Sequence, residues 1–149
     1  IESKVDLASD KRTKKKNTKI NQKKKKTIFM WPVRGKIILK YGMIKPGLHN
    51  DGINIAASNG EDVVASRQGK IIYAGNEIPG YGNLILIKHD KKWVTAYAHL
   101  SEITITKGAQ VKKGEKIGSV GSSGTVNTSQ LHFEIRKGKR ALNPREYLL

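Results

Sequence analysis

The chain has 149 residues and no cysteine, which excludes a disulfide framework, a thiolate nucleophile and a cysteine-ligated metal. Apolar residues make up 37%, enough for one modest core, and no apolar run approaches the roughly 20 residues of a membrane-spanning helix. The net charge of +17 points to anionic partners, but with aromatics at only 6% there is no stacking platform for specific nucleic-acid binding.

Residues 1–26 hold eleven Lys or Arg against three acids, a net of +8, without a sustained apolar period. Lysine clusters repel themselves and stay hydrated, so residues 1–27 are expected to be a disordered linker and residues 28–149 the folded domain. From Ile28 the pattern is strand and turn. KIIL (36–39), GINIAA (52–57), DVVA (62–65) and GKIIYAG (69–75) come first. NLILIKH (83–89) and WVTAYAHL (93–100) flank Asp90-Lys91-Lys92 and read as a β-hairpin. EKIGSVG (115–121), LHFEIR (131–136) and ALNP (141–144) complete the series, with glycines between them that suit tight turns. No stretch has the 3.6-residue period of a long helix. The fold class is therefore all-β and mostly antiparallel.

Four histidines are present: His49, His89, His99 and His132. His89, beside Asp90 and Lys91 at a strand end, reads as an exposed turn residue. His49, after Pro46-Gly47, reads as a surface loop residue. A zinc hydrolase needs three protein ligands and an open position for water. On a strand, side chains two apart share a face, so ligand pairs are sought at i, i+2 or i, i+4.

The segments GYGNLILIKH, TAYAHL, KKGEKIGSVGSSG, QLHFEIR and NPREYL, in that order and spacing over roughly residues 31–149, resemble the LytM/lysostaphin-type peptidoglycan endopeptidases. The resemblance implies a two-sheet, duplicated-hybrid-like β fold with an open groove and zinc at its floor. It also implies metal ligands in an H-x-G-x-D and an H-x-H motif. In this sequence the first motif is Asn50-Asp51-Gly52-Ile53-Asn54 and the second Gln130-Leu131-His132. Of the ligand positions only His132 is retained, with Asn50 and Asn54 replacing the other two. Of the supporting histidines His99 is retained and Gln130 replaces the other. Neutral amides are poor zinc ligands, and without the metal there is no water with a pKa near 7. No catalytic or metal role is expected, and no cofactor. Strand parity turns His49 and Asp51 away from Asn50 and Asn54, so only a bulge near Gly52 would rebuild a shifted site.

This pattern resembles the degenerate branch of NlpD-like and EnvC-like murein hydrolase activators. It implies a non-catalytic LytM-domain activator of a cell-wall amidase, exported to the periplasm or cell envelope, serving peptidoglycan remodelling and daughter-cell separation. A signal segment or a LysM module, if present, would lie before Ile1. Asn50, Asn54, His99, Gln130 and His132 are expected to line a polar groove. Tyr81, Asn83, Tyr97, Asn127 and Thr128 are expected at its rim. The alternatives are an active zinc metalloendopeptidase using a shifted site, and a module that only binds peptidoglycan.

Overall fold

The computed structural model describes residues 28–149, so the linker expected over 1–27 lies outside the described residues. The described residues form twelve strands, most of them along the apolar runs of the sequence. The first four are β1 (Lys36–Leu39), β2 (Gly42–Lys45), β3 (Leu48–Asn50) and β4 (Ile53–Ala56). Then come β5 (Asp62–Val64), β6 (Gly69–Gly75), β7 (Asn83–Lys88) and β8 (Trp93–Ile103). The last are β9 (Gln110–Val111), β10 (Lys116–Val120), β11 (Gln130–Lys137) and β12 (Arg140–Leu142). All pairings between these strands are antiparallel. Ten of the strands share one sheet, with a main path β1-β4-β11-β8-β7-β6-β9, while β2 and β3 form a separate hairpin. The expected hairpin at 83–100 is β7–β8, turned by Asp90–Lys92. Among the described residues there is no α-helix.

The middle of the sheet explains the site. Strand β11 lies between β4 and β8 and alternates along its length. Leu131, Phe133 and Ile135 enter the main core, where Phe133 meets the Tyr97 ring at 5.4 Å between centroids. Each such fully buried side chain contributes roughly 1.5–3 kcal/mol. Gln130, His132 and Glu134 occupy the intervening positions and turn to the other face. There His132 pairs with Asn54 on β4 and Ala98 on β8.

Two features depart from the sequence pattern. The hairpin β2–β3 lies in a stretch without strand alternation, because a two-stranded ribbon outside the sheet exposes both faces. His89 is buried, not an exposed turn residue. Phe29 and Trp93 pack in a T-shaped arrangement at 5.5 Å between centroids, and Phe29 packs on the His89 ring in the same way at 5.5 Å. Phe29 is held there by the chain end, its N–H bonding to Tyr147 O (2.8 Å) and its carbonyl to Leu149 N (3.0 Å).

Candidate functional site: an amide-substituted groove

An open groove of about 350 Å³ lies over the β4–β11–β8 face. Leu39, His49, Asn50 and Asp51 form one wall. Pro79, Gly80, Tyr81, Thr125 and Val126 form the other, with Asn54, His99, His132 and Glu134 between them. The second wall is two loops clasped together. Gly82 (φ +64°) and Gly124 (φ +86°) lie so close that a Cβ on Gly82 would fall 2.6 Å from Gly124 N. One on Gly124 would fall 2.6 Å from Gly80 O. Thr125 Oγ1 donates to Gly80 O at 3.2 Å and Ser123 Oγ accepts from Asn83 N at 3.0 Å.

A continuous hydrogen-bonded chain runs along the floor. Gln130 Nε2 donates to Thr128 O (3.2 Å) and to Thr128 Oγ1 (3.0 Å), which fixes the amide with its oxygen towards Asn54. Asn54 Nδ2 donates to that oxygen at 2.7 Å. Asn54 Oδ1 therefore accepts, from Asn50 Nδ2 at 3.3 Å and from His132 Nδ1 at 2.9 Å. The other nitrogen of His132 donates to Glu134 Oε2 at 2.8 Å. Both ring nitrogens thus face oxygen acceptors, and both are satisfied only when both carry protons. Glu134 also accepts from Arg136 Nε (2.7 Å) and the Tyr81 hydroxyl (3.1 Å). Arg136 continues to Asp51 (3.4 Å), and Asp51 pairs with His49 Nδ1 (3.0 Å). Burial alone would raise the Glu134 carboxyl. The His132 hydrogen bond and charge, reinforced by the Arg136 guanidinium, outweigh that and hold it at about 2.

His99 enters the groove by a different device. Its φ of +66° is left-handed, uncommon for a residue other than glycine, and it interrupts the alternation of β8. Its N–H bonds to Tyr81 O (2.9 Å) and its Nδ1 donates to Ser123 O (2.8 Å). Burial lowers its pKa below the usual imidazole value, offset in part by the Ser123 carbonyl, so near neutral pH it is a neutral ring. It lies 6.0 Å from the His132 ring between centroids.

These donors do not suit zinc. His132 has the orientation of a ligating imidazole, one nitrogen on a carboxylate and the other turned to the ligand position. What it meets there is the Asn54 amide oxygen, with a second amide behind it. Among the described residues no group of three or more His, Cys, Asp or Glu could hold a metal ion. Parity expected His49 and Asp51 to turn away from Asn50 and Asn54, but the strand is interrupted between Asn50 and Ile53, and both line the groove wall, bonded to each other at its mouth.

The structure gathers Asn50, Asn54, Tyr81, His99, Gln130 and His132 at or beside the groove. Thr128 supports Gln130 from below, and Asn127 is exposed next to it, away from the lining. Asn83 is no rim residue: its amide donates to Leu100 O (2.8 Å) behind the wall. Tyr97 is a clear correction, since it is fully buried in the core. Parity puts residues 97 and 99 on one face, and the left-handed backbone at His99 separates them. Glu134 and Arg136 were missed, although Gln130, His132, Glu134 and Arg136 follow the same i, i+2 rule that found the first two.

Tyr97 belongs to a second buried chain. Ser66 N donates to its hydroxyl (3.0 Å), the hydroxyl meets Thr95 Oγ1 (2.7 Å), and Thr95 meets His89 Nε2 (2.9 Å). His89 Nδ1 donates to Gln68 O at 2.6 Å. With Nδ1 donating, Nε2 must accept, so each hydroxyl donates onward and His89 is satisfied as a neutral ring.

Residues 48–144 match the model for Peptidase family M23. The chain is 53% identical over 108 residues to the cell division protein DipM of Caulobacter vibrioides, covering 72% of this chain and 18% of that protein. It is 45% identical over 120 residues to the murein hydrolase activator NlpD of Escherichia coli, covering 80% and 31%. Among solved structures, Helicobacter pylori Csd3 superposes with a TM-score of 0.74 at 30% identity, over 83% of this chain and 34% of that one. The chain thus spans less than a third of the length of these curated relatives.

Proposed function

Because the chain belongs to peptidase family M23, and its groove has amides where the family's zinc chemistry needs ligands, we propose that it is a non-catalytic LytM-domain activator of a cell-wall amidase. The observation that carries this reading is the hydrogen-bonded run Gln130–Asn54–His132–Glu134. It ties the floor side chains to one another and holds the groove's shape through amide, imidazole and carboxylate contacts. Support also comes from the relatives, among them a protein named as a murein hydrolase activator and one named as a cell division protein. In this reading the chain works in the bacterial envelope, next to peptidoglycan. Its role is protein–protein binding that favours the amidase's active state, which requires tighter binding to that state than to the inactive one.

Asn50, Asn54, Tyr81, His99, Gln130 and His132 would form the partner-facing floor, and Thr125 and Val126 the wall beside them. The test is dye release from labelled peptidoglycan by each candidate amidase of the source cell, with and without this chain, and by the chain alone. The expected result is no lysis by the chain alone and stimulation with one amidase. Lysis by the chain alone that a chelator abolishes would overturn the reading in favour of a zinc endopeptidase. Binding to peptidoglycan sacculi without stimulation of any amidase would reduce it to a wall-binding module.

A further inference from the structure

We propose that the hairpin β2–β3, with the adjoining outer edge of β1, is a contact element for an anionic lipid surface. Eight large apolar side chains are exposed among the described residues, and five of them fall within positions 38–48: Ile38, Leu39, Met43, Ile44 and Leu48. Met43 is 74% exposed, far above what a solitary surface methionine needs for packing. The same stretch, residues 34–50, carries Arg34, Lys36, Lys40 and Lys45 and no acid. Exposed apolar tips set among cations fit a surface of acyl chains below anionic headgroups: the tips enter, and the long lysine stems reach back to phosphate.

The register argues for lipid over a protein segment. Met43 pairs with His49 and Lys45 with Leu48. A register shift between Met43 and Lys45 breaks the alternation of β2, but Leu48 and His49 are neighbours in β3 and alternate, so Met43, opposite His49, stands on the other face of the ribbon from Leu48. A peptide laid on one face would leave the other apolar residue in water, whereas a lipid interface surrounds an inserted ribbon. A second copy of the chain is opposed by charge, since residues 27–149 carry a net +9, and so is the Lys-rich segment 1–26 at +8. The depth is limited by the backbone. A two-stranded ribbon has open edges, and unpaired N–H and C=O groups need water or phosphate, which holds the hairpin at the headgroup level. It is presented from a firm base, with Tyr41 donating to Ala141 O (3.1 Å) and packing on His49 at 5.3 Å. This inference stands independently of the activator reading.

The test uses the full chain and vesicles of equal parts phosphatidylglycerol and phosphatidylcholine, with pure phosphatidylcholine as the neutral comparison. Because the Lys-rich segment can adsorb to anionic vesicles by itself, the readout is insertion. Met43→Trp is compared with Lys107→Trp, which lies in the loop before β9 at the opposite end of the sheet path. Brominated phospholipid should quench Met43→Trp strongly. It should leave Lys107→Trp at the level of the unsubstituted chain, whose own tryptophans are Trp31 and Trp93. Replacing Met43, Ile44 and Leu48 together by serine should lower partitioning by about tenfold or more, because apolar burial then no longer supplements charge. All three side chains are exposed, so the fold should be untouched, as circular dichroism will verify. Equal quenching at positions 43 and 107 overturns the proposal, as does unchanged partitioning of the serine variant. If the serines abolish amidase stimulation while vesicle binding persists, the hairpin docks protein and the lipid proposal falls.

Discussion

His89 and His132 are buried to nearly the same extent, 5% and 7% exposed, in one sheet, yet they are satisfied in opposite ways. Around His89 every partner is a hydroxyl or a carbonyl, the ring is neutral, and burial pushes its pKa down. Around His132 the partners are an amide oxygen and a carboxylate, and the ring donates twice. The difference follows from what each strand offers next door. Thr95 and Tyr97 on β8 supply hydroxyls that can donate. Glu134, two residues along from His132 on β11, can only accept. At this family position the imidazole thus lies between an amide oxygen and a carboxylate, where a metal-binding site would have offered it a metal.

The largest effect should come from reversing the amide substitutions. Asn50→His, Asn54→Asp and Gln130→His together restore the family's donors around His132. Metal analysis after dialysis should then find one tightly held zinc per chain, where the unsubstituted chain retains none. If the rebuilt chain also retains none, the missing ligands are not what separates this groove from a peptidase. Next comes Glu134→Ala, which leaves His132 Nε2 and the Arg136 guanidinium without their buried acceptor and should cost roughly 3–5 kcal/mol in urea unfolding. A loss near zero would mean the floor is not ionic. Tyr97→Phe breaks the neutral chain instead. It strands the Ser66 N–H and should cost about 1–3 kcal/mol in the same measurement.

The smallest and most discriminating effect is on pH. His89 and His99 have lowered values when folded, so the unfolded chain takes up their protons first. Their contribution is complete above the unfolded value of about 6.5 and is lost as pH falls below it. Glu134 is held at about 2 against an ordinary value of 4.5, so its contribution is complete above 4.5 and is lost as pH falls towards 2. The melting temperature should therefore fall in two separated acid phases. His89→Gln should shrink the upper phase and Glu134→Gln should remove the lower. A single merged phase would show that the two histidine networks unfold as one electrostatic unit.

Much of the fold was legible because β7 and β11 alternate, and the groove floor was legible because Asn54 and His132 lie in register across β4 and β11. What was hidden has local causes. Tyr97 was misplaced because no pattern in YAHL announces a left-handed backbone at His99. His89 looked exposed because its sequence neighbours are charged, while the ring that packs on it comes from Phe29, far away in sequence. His49 was read as a loop residue although it lies in β3, because exposure on both faces of the β2–β3 hairpin erases the alternation that marks a strand.

The clasp between Gly82 and Gly124 has a mechanical consequence. Two loops that interlock backbone to backbone, without room for a side chain, move as one body, so that wall acts as a fixed jaw. The opposing wall ends in a free two-stranded ribbon held at its base by Tyr41 and by Asn50, whose amide donates to Lys40 O at 3.1 Å. Widening the groove therefore means swinging the ribbon, and whatever grips its tip also sets how far the jaw opens.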